Sequence, residues 1–127
     1  VTKVKPVVIV IDDDPSMLRA LRRLIKAAGF DVRAYDRPST LLKSELPRAR
    51  ACLVVDINLP EMNGVELCEK LASLGCSLPV VLITGQYDEE TRSLALRAHP
   101  VALLIKPFAR DQLIASIDGA LYEQNHS

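Results

Sequence analysis

The stretch VVIVIDDDPSMLRALRRLIKAAG, residues 7–29, sets out a strand, an acidic turn and a helix in succession. Residues 7–11 are continuously apolar and β-branched, the composition of a short buried strand. The run stops at Asp12, Asp13 and Asp14. Asp14 is placed to cap a helix that carries Pro15 in its first turn. Met17, Leu18, Leu21, Leu24, Ile25 and Ala28 then recur at helical spacing, and Gly29 ends the stripe. The three carboxylates pose an electrostatic problem, because two unit charges ~4 Å apart repel by about 4 kcal/mol at an effective dielectric near 20. A solvated turn disperses that repulsion, and so does a bound cation.

The same alternation continues along the chain. VRAY (32–35) reads as a second, weaker strand near an edge, followed by a helix from about Pro38 to Leu46 that Pro47 stops. ACLVVDI (51–57) is another buried strand, and the loop NLPEMNG (58–64) leads to a helix over about Val65–Leu74. That helix carries Val65, Cys68, Leu71 and Ala72 on one face. PVVLIT (79–84) is a fourth strand, Asp88 starts a helix running to about Ala98, and VALLI (101–105) is the fifth strand. The final segment, RDQLIASIDGALYE (110–123), is amphipathic, with Leu113, Ile114, Ile117 and Leu121 facing inward and Asp111, Asp118 and Glu123 on the solvated face. Five strand–helix pairs without repeats or an internal linker predict an α/β fold, a parallel sheet covered by helices on both faces.

Composition narrows the function. At 127 residues the chain suits one domain, and 49% hydrophobic with 25% charged residues argues for a folded globule. Sixteen basic and sixteen acidic residues leave no net charge, so a domain-wide footprint for direct nucleic-acid binding is missing. No stretch approaches the ~18 apolar residues of a membrane span, and the N-terminus shows no signal-peptide pattern. The expected location is the cytoplasm. Cys52, Cys68 and Cys76 match no metal-ligand or redox spacing and read as small buried hydrophobes. His99 and His126 have no ligand-spaced partners and read as bystanders.

In parallel α/β sheets, ligands sit beyond the carboxyl ends of the strands. Those ends here are Asp12 to Asp14, Asp56, Thr84 and Lys106. Each has a bland reading alone, as a cap, a turn or a solvated end; four chemically matched ends on one rim do not. Asp56 is the sharpest clue, because a carboxylate inside apolar LVVDI needs a partner. Asp12, Asp13 and Asp56 offer hard oxygen ligands suited to Mg²⁺. A carboxylate held there can act as a nucleophile toward phosphorus, with Lys106 neutralising phosphoryl charge and Thr84 hydrogen-bonding an oxygen.

From about Val7 to Tyr122 the chain resembles the receiver domain of two-component response regulators, the CheY-like superfamily. VIDDDPSMLRALRRLIKAAGF resembles its acidic pair and first helix, VVDINLPEMNG its phosphoacceptor loop, VVLITG its switch-threonine strand and LLIKPF its lysine–proline segment. The resemblance implies a flavodoxin-like, doubly wound (βα)5 sandwich with strand order 2-1-3-4-5. It implies one receiver domain over 1–127, with a core of about 7–122 and a polar tail at 123–127. Asp12 and Asp13 would organise Mg²⁺, Asp56 would accept the phosphoryl group, and the Asn58 backbone carbonyl would complete the metal shell. Thr84 would turn inward to the phosphoryl group and Lys106 would pair with it, while Gln86 tunes phosphate lifetime. The Lys106–Pro107 bond would be cis. The implied partners are a sensor histidine kinase or histidine phosphotransfer protein, and a homodimer or output partner on the surface of the fourth helix, fifth strand and fifth helix. Two departures stand out: Leu103 replaces the aromatic residue usual three positions before the lysine, and AHPV replaces the small turn entering the fifth strand. The ending YEQNHS fits either the native end of a single-domain regulator or the stub of a linker.

Two rival functions compete. A hydrophobic strand followed by Asp-x-Asp-x-Ser also resembles haloacid-dehalogenase-like phosphatases, with Asp12 as nucleophile and Asp14 as acid/base. That reading leaves Asp56 without a role, lacks an acidic pair after Lys106 and suits a longer chain. The other rival is a receiver fold that binds partners without phosphorylation, which the complete set of strand-end residues disfavours.

Overall fold

The computed structural model describes residues 5–47 and 50–126, with side chains as far as Tyr122. Strands β1 (Val7–Ile11), β2 (Asp31–Tyr35), β3 (Ala51–Asp56), β4 (Val80–Thr84) and β5 (Ala102–Ile105) alternate with helices α1 (Pro15–Ala27), α2 (Pro38–Lys43), α3 (Gly64–Ser73), α4 (Glu89–Leu96) and α5 (Arg110–His126). All strand pairs are parallel and the order is β2-β1-β3-β4-β5, the flavodoxin-like arrangement.

The continuous apolar runs have a simple cause: β1, β3 and β4 are interior strands buried along their whole length. Ile9, Ile11, Leu53, Val55 and Leu82 pack with α2, α3 and α4 on one face of the sheet. Val8, Val10, Val54, Val81 and Ile83 pack with Leu21 and Ile25 of α1 and Leu113 and Ile117 of α5 on the other. Each such Val, Leu or Ile side chain stabilises the fold by about 1.5–3 kcal/mol relative to an exposed one. The edge strands β2 and β5 are only partly buried.

Helix ends follow local chemistry. The Asp14 carboxylate accepts from the N–H groups of Ser16 and Met17 at the start of α1, and Gly29, at φ 100°, turns the chain out of it. Asn63 and Glu66 form a reciprocal capping box at the start of α3. Asp88 caps α4 as expected. Two boundaries depart from the sequence reading by more than two residues. Helix α2 ends at Lys43 rather than about Leu46, because the Ser44 N–H and hydroxyl both turn back onto the Leu41 carbonyl, at 3.0 and 2.7 Å. Residues 123–126, expected as a tail, continue the backbone of α5. The side chains of Glu123 and His126 lie outside the described residues. No described helix is long and apolar enough to cross a membrane.

Candidate functional site

The parallel register brings the ends of β1, β3, β4 and β5 to one edge of the sheet, where Asp56 lies opposite Ile83 and Thr84 opposite Ile105. Asp12, Asp56 and Thr84 are the only buried polar or charged side chains among the described residues, so every one of them lies on this edge. Buried carboxylates need partners, and both have them. The Lys106 ammonium donates to Asp56 Oδ2 at 2.8 Å and to Asp12 Oδ2 at 3.2 Å. The second oxygen of each carboxylate accepts a backbone N–H two residues on: Asp14 N–H to Asp12 Oδ1 at 2.9 Å, and Asn58 N–H to Asp56 Oδ1 at 2.8 Å. Each acid is thereby held from both sides.

Asp13 is exposed, yet carboxylate oxygens of Asp12, Asp13 and Asp56 lie within 4.8 Å of one another. Two full charges at such a distance repel by about 3–4 kcal/mol at an effective dielectric near 20. Three carboxylates thus face a single ammonium. Burial pushes the Asp12 carboxyl above its usual range, and the like charge of Asp56 adds to this against the Asp14 N–H and Lys106. Burial alone would lower the Lys106 pKa, but its hydrogen bond and charge pairing with Asp56, then with Asp12, raise it above the ordinary value. Lys106 therefore stays cationic through the neutral range. An oxygen-only donor set with excess negative charge suits a hard divalent cation.

Local backbone makes this geometry. Gly64, the first residue of α3, packs so closely on the end of β3 that an added Cβ would collide with the Asp56 carbonyl oxygen, with Val55 Cγ1 at 2.8 Å and Ile57 Cα at 3.0 Å. Its N–H donates to the Ile57 carbonyl at 2.8 Å, closing the base of the loop that follows Asp56. At the tip of that loop Glu61 adopts φ 70°, a left-handed conformation that costs a non-glycine residue roughly 1–2 kcal/mol. Its two carboxylate oxygens accept from the Ser39 N–H and hydroxyl on α2, both at 2.9 Å. Those donors, the backbone N–H foremost, hold the Glu61 carboxyl below its usual range.

The remaining sequence-derived residues are also located. Thr84 is fully buried, but its hydroxyl donates to the Gln86 carbonyl at 2.8 Å and accepts the Gln86 N–H at 3.1 Å. It is thus turned toward the loop after β4 and makes no hydrogen bond to Asp56. Gln86 is exposed, and Leu103 is half-buried against the α2–α4 side of the core. The Lys106–Pro107 peptide is cis. Cys52 is buried, whereas Cys68 and Cys76 are half-buried, and burial pushes the Cys52 and Cys68 thiols up to about 12. His99 is exposed, away from the acidic cluster. The contact between Ser39 and Glu61 and the close approach at Gly64 were not anticipated; the sequence marked NLPEMNG only as the loop leading into α3.

Comparison with known proteins agrees with this architecture. The sequence model described as "Response regulator receiver domain" matches residues 8–118. The response regulator protein TmoT of Ectopseudomonas mendocina is 32% identical over 115 residues, covering 91% of this chain and 52% of that protein. Nodulation protein W of Bradyrhizobium diazoefficiens is 34% identical over 116 residues, covering 91% of this chain and 51% of that protein. The chain therefore spans about half the length of these relatives. Among solved structures, a response regulator receiver protein from Burkholderia phymatum superposes with a TM-score of 0.79 at 36% identity, over 93% of this chain and 96% of that one. The response regulator StyR gives a TM-score of 0.87 at 36% identity, over 97% of this chain and 62% of that one. The fold, the strand-end cluster and these likenesses agree: this chain belongs to the response regulator receiver domains of two-component signalling systems.

Proposed function

We propose that this receiver is a phosphorylation-activated switch in which Asp56 is the phosphoacceptor. The observation that carries the reading is the bridging of two buried carboxylates, Asp56 and Asp12, by Lys106, with Asp13 within reach of both. An Asp56 oxygen attacks phosphorus, the bond to the donor's imidazole nitrogen breaks, and the electron pair leaves with the imidazole. Lys106 is already within hydrogen-bond distance of Asp56 and can follow the charge onto the transferred group. Thr84 would leave Gln86 to donate to a phosphoryl oxygen. Asp12, Asp13, Asp56 and the Asn58 carbonyl would hold Mg²⁺, which when bound neutralises phosphoryl charge. Water then attacks phosphorus, the bond to the Asp56 oxygen breaks and inorganic phosphate leaves with the carboxylate restored, so the domain acts on itself rather than turning over a metabolite.

The partners on this reading are a sensor histidine kinase or a histidine phosphotransfer protein in the cytoplasm. Tyr87 before α4, Leu96 of α4, Ile105 of β5 and Tyr122 of α5 are each exposed, apolar area on these elements suited to a second copy or an output partner. The phosphatase alternative fares poorly: its acid/base, Asp14, is exposed and committed to capping α1.

The test is chemical. Incubation with acetyl phosphate and Mg²⁺ should give an acyl phosphate labile to hydroxylamine, and Asp56→Asn should abolish it. Undiminished labelling of that variant refutes the assignment, and loss only in Asp12→Asn restores the phosphatase reading.

A further inference from the structure

The loop between β3 and α3 is fastened at its base by the Gly64 N–H on the Ile57 carbonyl. Its start is fastened by the Asn58 N–H on Asp56. Among the described residues, the only side-chain hydrogen bonds joining residues 59–62 to another element are the two that Ser39 donates to Glu61. Both carboxylate oxygens are used, and both donors belong to one residue in the first turn of α2. Glu61 holds them from a left-handed backbone that glycine would adopt without strain. A side chain retained at such a position, with both oxygens engaged, marks a built contact. It ties the segment containing the Asn58 carbonyl to a helix packed against the core through buried Leu41.

We propose that Glu61 is a positioning residue for the metal site: its hydrogen bonds to Ser39 fix the loop so that the Asn58 carbonyl is presented toward the Asp12–Asp13–Asp56 cluster. The inference rests on the receiver reading above and names a regulator of that site's affinity. Glu61 touches no reacting atom. Because a loop is pinned rather than a ligand supplied, the effect falls on Mg²⁺ affinity and not on chemistry at saturation.

Glu61→Gly separates the contact from the backbone strain, since it removes the carboxylate while keeping φ 70° accessible. Glu61→Gln is the conservative rescue: its amide oxygen accepts the Ser39 N–H and its amide nitrogen donates to the hydroxyl. Mg²⁺ titrations, followed by the Asp56 and Asn58 amide resonances and by the thermal shift, give an affinity without any phosphoryl transfer. The expected result is about tenfold weaker binding in Glu61→Gly, the low end of the effect of losing a metal ligand's outer partner. Glu61→Gln should stay near wild type, and acetyl phosphate labelling at saturating Mg²⁺ should be equal in all three. Wild-type affinity in Glu61→Gly overturns the proposal, and so does a glutamine variant as weak as the glycine one. An unlabelled Asp56 alongside the expected titrations refutes the acceptor reading and leaves this inference standing. Absence of any Mg²⁺ response in the wild-type chain refutes the metal reading and this inference together.

Discussion

Two glycine-to-alanine substitutions should change stability in opposite directions, although both glycines lie in helices. At Gly119, within α5, the nearest atom to an added Cβ is Val101 Cγ1 at 3.8 Å, an ordinary contact. Alanine there gains intrinsic helix preference, about 0.8–1.0 kcal/mol, with nothing opposing it. At Gly64 the same methyl group enters the space of the Asp56 carbonyl oxygen and stands 2.8 Å from Val55 Cγ1. The carbonyl and the Ile57 Cα are backbone, so α3 must shift off the end of β3. Forcing a methyl group into a packed core costs typically 1–3 kcal/mol. The helix preference gained at a first-turn position is smaller, so sterics win. We expect Gly64→Ala to lose about 1–3 kcal/mol and Gly119→Ala to gain somewhat under 1 kcal/mol. Urea unfolding monitored by circular dichroism reads both, with slopes of roughly 1–3 kcal/mol/M turning a 2 kcal/mol loss into a midpoint about 1 M lower. A Gly64→Ala midpoint at or above wild type would refute the argument that α3 is seated directly on the end of β3.

Mg²⁺ at ~100 times its dissociation constant should stabilise the fold by about 2.7 kcal/mol, read as a higher melting temperature. Asp13→Asn should blunt that response without weakening the metal-free protein, whereas Asp14→Asn, which still caps α1, should leave it intact. Asp12 supplies a pH test. Its carboxyl is raised above the ordinary 3.8, so its contribution to stability is full below that value and is lost as pH rises through the folded-state value. In metal-free buffer Asp12→Asn should therefore be no less stable than wild type near neutrality, and any advantage should close as the pH falls toward 4. An advantage that grows in acid would reverse the sign. For output, Thr84→Ala should impair phosphorylation-dependent partner binding or dimerisation far more than Leu103→Ala, because Leu103 is a half-buried packing residue without a polar tip. Equal uncoupling by both variants would assign the switch to the leucine.

The interior strands were legible because both their faces are buried, which writes VVIVI, ACLVV and VVLI as unbroken apolar runs. Asp56 was legible for the same reason, as a charge where the pattern allows none. The end of α2 was not, because it depends on the Ser44 hydroxyl preferring the Leu41 carbonyl to solvent. The last turn of α5 was missed because EQNH lacks apolar periodicity while its backbone still continues the helix. The direction of the Thr84 hydroxyl is set by Gln86 backbone atoms and has no signature in residue type. Ser39 and Glu61 are 22 positions apart, on segments that only the tertiary fold brings together.

Lys106 reaches Asp56 across 50 residues of sequence and Asp12 across 94. No local segment contains the pocket, and a parallel sheet reaches its register only after loop-closure entropy has been overcome for each crossover. A chain stalled with β5 undocked would present Asp56 and Asp12 without their ammonium. Reactivity and native topology thus arrive in the same event. On the function proposed above, a nascent, misfolded or clipped molecule would be silent, and phosphoryl uptake would be confined to finished copies.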